Sequence, residues 1–109
     1  TLGKSLKCLE LLSYLNLDFS RCASITDEGL AILIKYITSL VCLESLLLSF
    51  TGCTKLSNIG LNQLKQLTSM HSLKNVSLNF KDCIDIQDKE IVTMKTELNS
   101  HIKEVIINY

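Results

Sequence analysis

The chain is 109 residues long, 47 % hydrophobic, and carries 11 basic and 11 acidic residues for a formal charge of zero. That length holds at most one domain with ample material for a core, and the balanced charge argues against the basic face that nucleic-acid binding needs. No run of 18 apolar residues occurs, because Lys35 and Glu44 interrupt the most apolar region, Leu30 to Leu48, so no membrane span is expected.

In chain order, Thr1 to Leu11 comes first. Leu2, Leu6 and Leu9 stand 31 residues before Leu33, Ile37 and Leu40, so this stretch reads as the end of a helix from a preceding unit. Leu12 to Leu30, LSYLNLDFSRCASITDEGL, opens a complete unit. It returns 31 residues on as Leu43 to Leu61, LESLLLSFTGCTKLSNIGL, and 30 residues after that as Leu73 to Ile91, LKNVSLNFKDCIDIQDKEI. A short fourth copy, IKEVIINY, runs to Tyr109. The expected units are 1–11, 12–42, 43–72, 73–101 and 102–109, within one domain. Self-similarity at a period near 30 signals a stacked array. Such arrays need polar caps and neither end supplies one, so the chain reads as a segment of a longer array.

Laid over one another, the copies share four apolar columns. Leu15, Leu46, Val76 and Val105 form one, and Leu17, Leu48, Leu78 and Ile107 the next. Phe19, Phe50 and Phe80, the only phenylalanines, form a third with Tyr109 next in line, and Cys22, Cys53 and Cys83 a fourth. The alternation L-x-L-x-F has period 2 and predicts a strand ending in the Phe. A polar loop of the Ser20–Ile25 kind follows. Thr26 and Ser57 are placed to cap helices. After them the apolar spacing becomes helical, at Leu30, Leu33, Ile34 and Ile37 and again at Leu61, Leu64 and Leu67. The third copy is expected to be the least regular. Gln87 replaces the capping hydroxyl, Glu90 replaces the Gly, and the helix Asp88 to Leu98 should fray most readily.

A strand and a helix of this size cannot bury their own apolar faces, but stacked copies bury each other's. The expected product is an α/β right-handed coil, with a parallel sheet on the concave side and helices on the convex side. The pattern L-x-x-L-x-L with a downstream Cys and then I-T-D-x-G-L resembles the leucine-rich repeat family, nearest to its cysteine-containing and ribonuclease-inhibitor-like classes. The family usually places the Cys three residues after the last strand Leu. Here Leu17 to Cys22, Leu48 to Cys53 and Leu78 to Cys83 each span five, which implies a longer strand and a thicker core.

Chemistry-bearing residues are sparse. The cysteine column lacks the paired spacings of a zinc site and reads as a buried ladder of thiols bonded to loop backbone. Cys8 and Cys42 fall at helix ends. The odd count of five cysteines predicts reduced thiols and an intracellular, cytoplasmic setting. His71 and His101 share one column and read as solvated loop residues. Arg21, the only arginine, sits in the first strand-to-helix loop and reads as a surface residue. No phosphate-binding, dinucleotide-binding, zincin or serine-hydrolase motif occurs. No enzyme activity, cofactor or metal is expected.

Alternation sends the other strand residues to the concave face. The expected columns are Tyr14, Ser45, Asn75, Glu104; Asn16, Leu47, Ser77, Ile106; Asp18, Ser49, Asn79, Asn108; and Ser20, Thr51, Lys81. Tyr14, Leu47 and Ile106 are the candidate anchors, since large apolar groups dominate binding energy. The expected function is a non-catalytic scaffold that binds a protein partner on this face through Tyr14, Asn16, Asp18, Leu47, Ser49, Ser77, Asn79, Lys81 and Ile106. The resemblance also implies an alternative, the substrate-recruiting arm of an F-box-type ubiquitin ligase. A GTPase-activator role for Arg21 rests on fold analogy alone. The last reading, behind the scaffold and the ligase arm, is a purely structural part, as a subunit or segment of a larger assembly.

Overall fold

Five-residue apolar alternations become strands wherever one face can be buried, and four do so here. In the computed structural model, which describes residues 11–109, strands β1 (Tyr14–Asp18), β2 (Ser45–Ser49), β3 (Asn75–Asn79) and β4 (Glu104–Asn108) form one parallel sheet in the order β1-β2-β3-β4. Register follows the sequence columns. Leu15 pairs with Leu46, Leu46 with Val76, and Val76 with Val105. Helices α1 (Asp27–Thr38), α2 (Asn58–Gln63) and α3 (Asp88–Asn99) join successive strands, and a 3₁₀ segment, Leu64–Ser69, continues α2. They pack side by side, α1 on α2 and its continuation, and these on α3. Among the described residues no helix is long and apolar enough to cross a membrane. The expected helix within Thr1 to Leu11, with Leu2, Leu6, Leu9 and Cys8, falls almost wholly outside the described residues.

The inner columns make the core. Leu46, Leu78 and Phe50 are fully buried beside Ile34, Ile37, Leu64, Met94 and Leu98 from the helices. The phenylalanine rings stack, with centroids 5.7 Å apart for Phe19–Phe50 and for Phe50–Phe80 and planes tilted by 10° and 12°. That spacing lies in the favourable range for aromatic pairs. Burying each ring contributes roughly 1.5–3 kcal/mol. Two of the three laddered thiols behave as expected, Cys53 Sγ donating to the Phe19 carbonyl and Cys83 Sγ to that of Phe50, each at 3.0 Å, whereas Cys22 is only partly buried and lies beside the Ser24 hydroxyl.

Four expectations need correction. First, each strand stops one residue before its Phe. The Phe N–H still bonds the neighbouring strand's carbonyl at 2.8 Å, but the chain then turns through left-handed conformations at Arg21 (φ 62°), Gly52 (φ 72°) and Asp82 (φ 63°). Only glycine takes that conformation freely, and it ends the strand at this position. Ser20, Thr51 and Lys81 therefore belong to loops, not to the strand face. Second, Tyr109 does not extend the buried ring stack; it is 54 % exposed and lines an open hollow beside Phe80. Third, the irregular helix is that of the second unit, while α3 runs for 12 residues. The second unit spaces Leu61, Leu64, Leu67 and Met70 three apart. That period aligns one face of a 3₁₀ helix, whereas α1 and α3 mix spacings of three and four. Fourth, the first unit's inner column is only partly buried at Leu15, Leu17, Phe19 and Cys22. At the other edge α3 packs on β4, and Val105 and Ile107 are buried.

The loops carry a second lateral system. Thr26 caps α1 by accepting from Gly29 N (3.2 Å), and Ser57 caps α2 by accepting from Ile59 N (3.2 Å). Gln87 makes no side-chain cap bond, as expected. The next residue reaches across to the neighbouring unit. Asp27 Oδ1 accepts from Ser57 N at 2.9 Å, and Asp27 Oδ2 accepts from the Ser57 hydroxyl. Asn58 Oδ1 accepts from Gln87 N at 3.1 Å. Gly60 makes room for the first of these, since a Cβ there would collide with the Asp27 carboxylate.

Candidate binding face of the sheet

With helices over one face, the other face of the sheet carries the alternate residues of each strand. Three of the expected columns lie across it in register: Tyr14–Ser45–Asn75–Glu104, Asn16–Leu47–Ser77–Ile106, and Asp18–Ser49–Asn79–Asn108. The structure thus brings together eight of the nine candidate residues. Lys81, the ninth, sits in the loop beyond β3, where its backbone N–H bonds Asn79 Oδ1 at 3.0 Å.

Exposure differs along the middle column. Asn16 is exposed and Ile106 is 50 % exposed, while Leu47 and Ser77 on the inner strands are half-buried by their neighbours. Tyr14 is 55 % exposed at the β1 corner. Six of the nine polar side chains in these columns are hydrogen-bonded, Ser45, Asn75 and Glu104 among themselves and Asp18, Ser49 and Asn79 to the adjoining loops. Ser20 donates its hydroxyl and its N–H (2.9 Å) to Asp18 Oδ1. Those bonds, the hydroxyl's first, hold the Asp18 carboxyl below its ordinary pKa. Ser20 Oγ lies 3.1 Å from Ser49 Oγ, which lies 3.3 Å from Thr51 Oγ1. At the opposite corner the Asn75 amide, turned to satisfy both neighbours, donates to Glu104 Oε2 and accepts from Ser45 Oγ, each at 3.2 Å. Below it, Lys74 pairs with Glu44 at 3.0 Å.

The remaining candidates are dispersed. His101 Nδ1 bonds the Ser100 hydroxyl at 2.8 Å beyond the end of α3, and His71 is exposed in the turn before β3. The Ser100 hydroxyl also lies 2.6 Å from the Glu97 carbonyl, to which it donates. Arg21 takes part in no ion pair among the described residues. Cys22, Cys42, Cys53 and Cys83 are free thiols. The Ser24 hydroxyl at 3.3 Å lowers the Cys22 pKa, whereas burial raises those of Cys53 and Cys83. Among the described residues no group of three or more His, Cys, Asp or Glu could hold a metal ion.

One apolar surface went unread in the sequence. Ile32 (71 % exposed) and Tyr36 (52 % exposed) project from α1. With Phe19, Ile25 and Leu33 they line an open groove of about 400 Å³. The signal was present: Ile32 and Tyr36 lie four apart, on a helix face other than that of Leu30, Ile34 and Ile37.

Compared with known protein families and with curated proteins, the chain gives no match.

Proposed function

We propose that the chain is a leucine-rich-repeat solenoid that acts as a non-catalytic scaffold, holding a protein partner on the concave outer face of its sheet. The parallel order β1-β2-β3-β4, with register offsets of about one repeat at each step, supports the coil. One observation carries the functional reading. Tyr14, Leu47 and Ile106 lie on a polar face on which Ser45, Asn75 and Glu104 are hydrogen-bonded to one another and Asp18, Ser49 and Asn79 to groups of the adjoining loops. Apolar anchors in an ordered polar surround are what a binding surface needs, and little side-chain freedom would be lost on docking. The unpaired thiols support a reducing, intracellular setting.

A quantitative pull-down tests this. Wild-type chain and a Val92→Arg control, altered on the exposed side of α3, are expected to capture the same proteins. Leu47→Arg combined with Tyr14→Ala is expected to lose them. Equal capture by all three would remove the outer face from consideration.

A further inference from the structure

Register and side-chain size together imply a notch in the middle column. Leu47 on β2 and Ile106 on β4 rise on either side of Ser77 on β3, and all three are in register. Parallel strands are about 4.8 Å apart, so the two apolar walls stand roughly 10 Å apart across a small floor. A gap of that width admits one aliphatic or aromatic side chain between them. Ser77 is the residue that keeps it open, since its counterparts on the flanking strands are the larger Leu47 and Ile106.

Charge on this face is one-sided. The 12 residues of the three columns include two carboxylates, Asp18 and Glu104, and no Lys or Arg. They stand at diagonally opposite corners, on the first and last strands and at opposite strand ends. The cations nearby lie off the face. Arg21 and Lys81 are in the loops past the strands, Lys103 precedes β4, and Lys74 is paired with Glu44. Asp18 is held ionised by Ser20. Opposed charges at an interface select partners and speed their encounter.

We infer that the outer sheet face receives a protein segment in which one apolar side chain, flanked on both sides by Lys or Arg, seats its apolar group between Leu47 and Ile106 and its cations toward Asp18 and Glu104. This deepens the scaffold reading and rests on it. The notch fixes position, and the two carboxylates select against acidic segments.

The test pans a library of short random displayed peptides on the whole chain at low salt, then measures the enriched peptides by fluorescence anisotropy. Enrichment of a Leu, Ile, Met or Phe between Lys or Arg residues is expected. Ser77→Phe, which fills the notch, should weaken binding about tenfold or more. Ile106→Ser, which removes one wall at an already exposed position, should act in the same direction and guards against a misfolded Ser77→Phe. Asp18→Asn with Glu104→Gln should weaken binding severalfold and flatten its salt dependence. Peptides that lose binding with Ser77→Phe but carry no basic residues would overturn this inference and leave the scaffold reading standing. Binding indifferent to every outer-face substitution, or no enrichment at all, would overturn both.

Discussion

The two faces of the sheet are built from neighbouring residues in the same strands, yet they obey different rules. On the inner face each column is nearly uniform: Leu, Leu, Val, Val; Leu, Leu, Leu, Ile; Phe, Phe, Phe. On the outer face one column reads Asn, Leu, Ser, Ile and another Tyr, Ser, Asn, Glu. Packing explains the difference. An inner side chain touches its counterparts above and below, so its volume is set by theirs. An outer side chain answers to solvent or to a partner. The columns that vary are therefore the ones free of packing constraint, and on the proposed scaffold reading substitutions on the two faces should differ in effect, lowering stability on one and binding on the other.

The largest expected effect is on the inner face. Phe50→Ala removes a fully buried ring stacked on both sides and should cost about 3–5 kcal/mol in urea unfolding. Phe19→Ala, at the partly buried end of the same stack, should cost less than half of that; equal losses would mean that β1 is shielded as well as β2. Next comes the lateral loop system. Gly60→Ala should cost about 1–3 kcal/mol by crowding the Asp27 carboxylate. Pairing it with Asp27→Ala should recover part of the loss, because the two sites share one contact. A strictly additive double mutant would show that this contact is not the reason for the glycine. Smaller still, Gln87→Ser should gain about 0.5–1 kcal/mol by supplying the missing cap of α3, in a backbone already extended at that residue.

The cysteines sharpen the comparison chemically. Cys22, Cys53 and Cys83 share a column, yet an aromatic disulfide reagent followed by peptide mass mapping should modify Cys22 and the exposed Cys42 in the native protein. Cys53 and Cys83 should react only after unfolding, in keeping with their burial and raised pKa. The sign for stability follows. A buried thiol whose pKa is raised on folding favours the folded state while neutral. That contribution is complete below the unfolded thiol pKa, about 8.5, and is lost as pH rises through the folded value. Stability should therefore decline above roughly pH 8.5, and less so in a Cys53→Ala, Cys83→Ala variant referenced to its own neutral-pH stability.

Much of this was legible in the residues. A shift of one position would have turned every apolar side chain to solvent, so the columns left the register little freedom. The outer columns followed from the same alternation. What escaped had local causes. The left-handed turn after each Phe is masked at Arg21, a residue type that seldom adopts it, and is only weakly signalled by Asp82 and Gly52, which adopt it more readily; without it, alternation carries Lys81 onto the strand face. The 3₁₀ turn of the second unit was written in the spacing of Leu61, Leu64, Leu67 and Met70, which resembles a helical period closely enough to be taken for one. The bonds from Asp27 to Ser57 and from Asn58 to Gln87 join residues about 30 apart. They become visible only when the columns are read across units as well as along the chain.

The division between the faces can be tested at two adjacent residues. Leu47→Arg and Leu48→Arg place the same cation one position apart in β2, and urea unfolding compares them directly. Leu47→Arg should change stability by less than about 1 kcal/mol, as surface substitutions do. Leu48→Arg buries an unpaired charge and should cost more than about 4 kcal/mol or abolish folding. Comparable losses from the two would contradict the assignment of faces and, with it, the proposed binding surface.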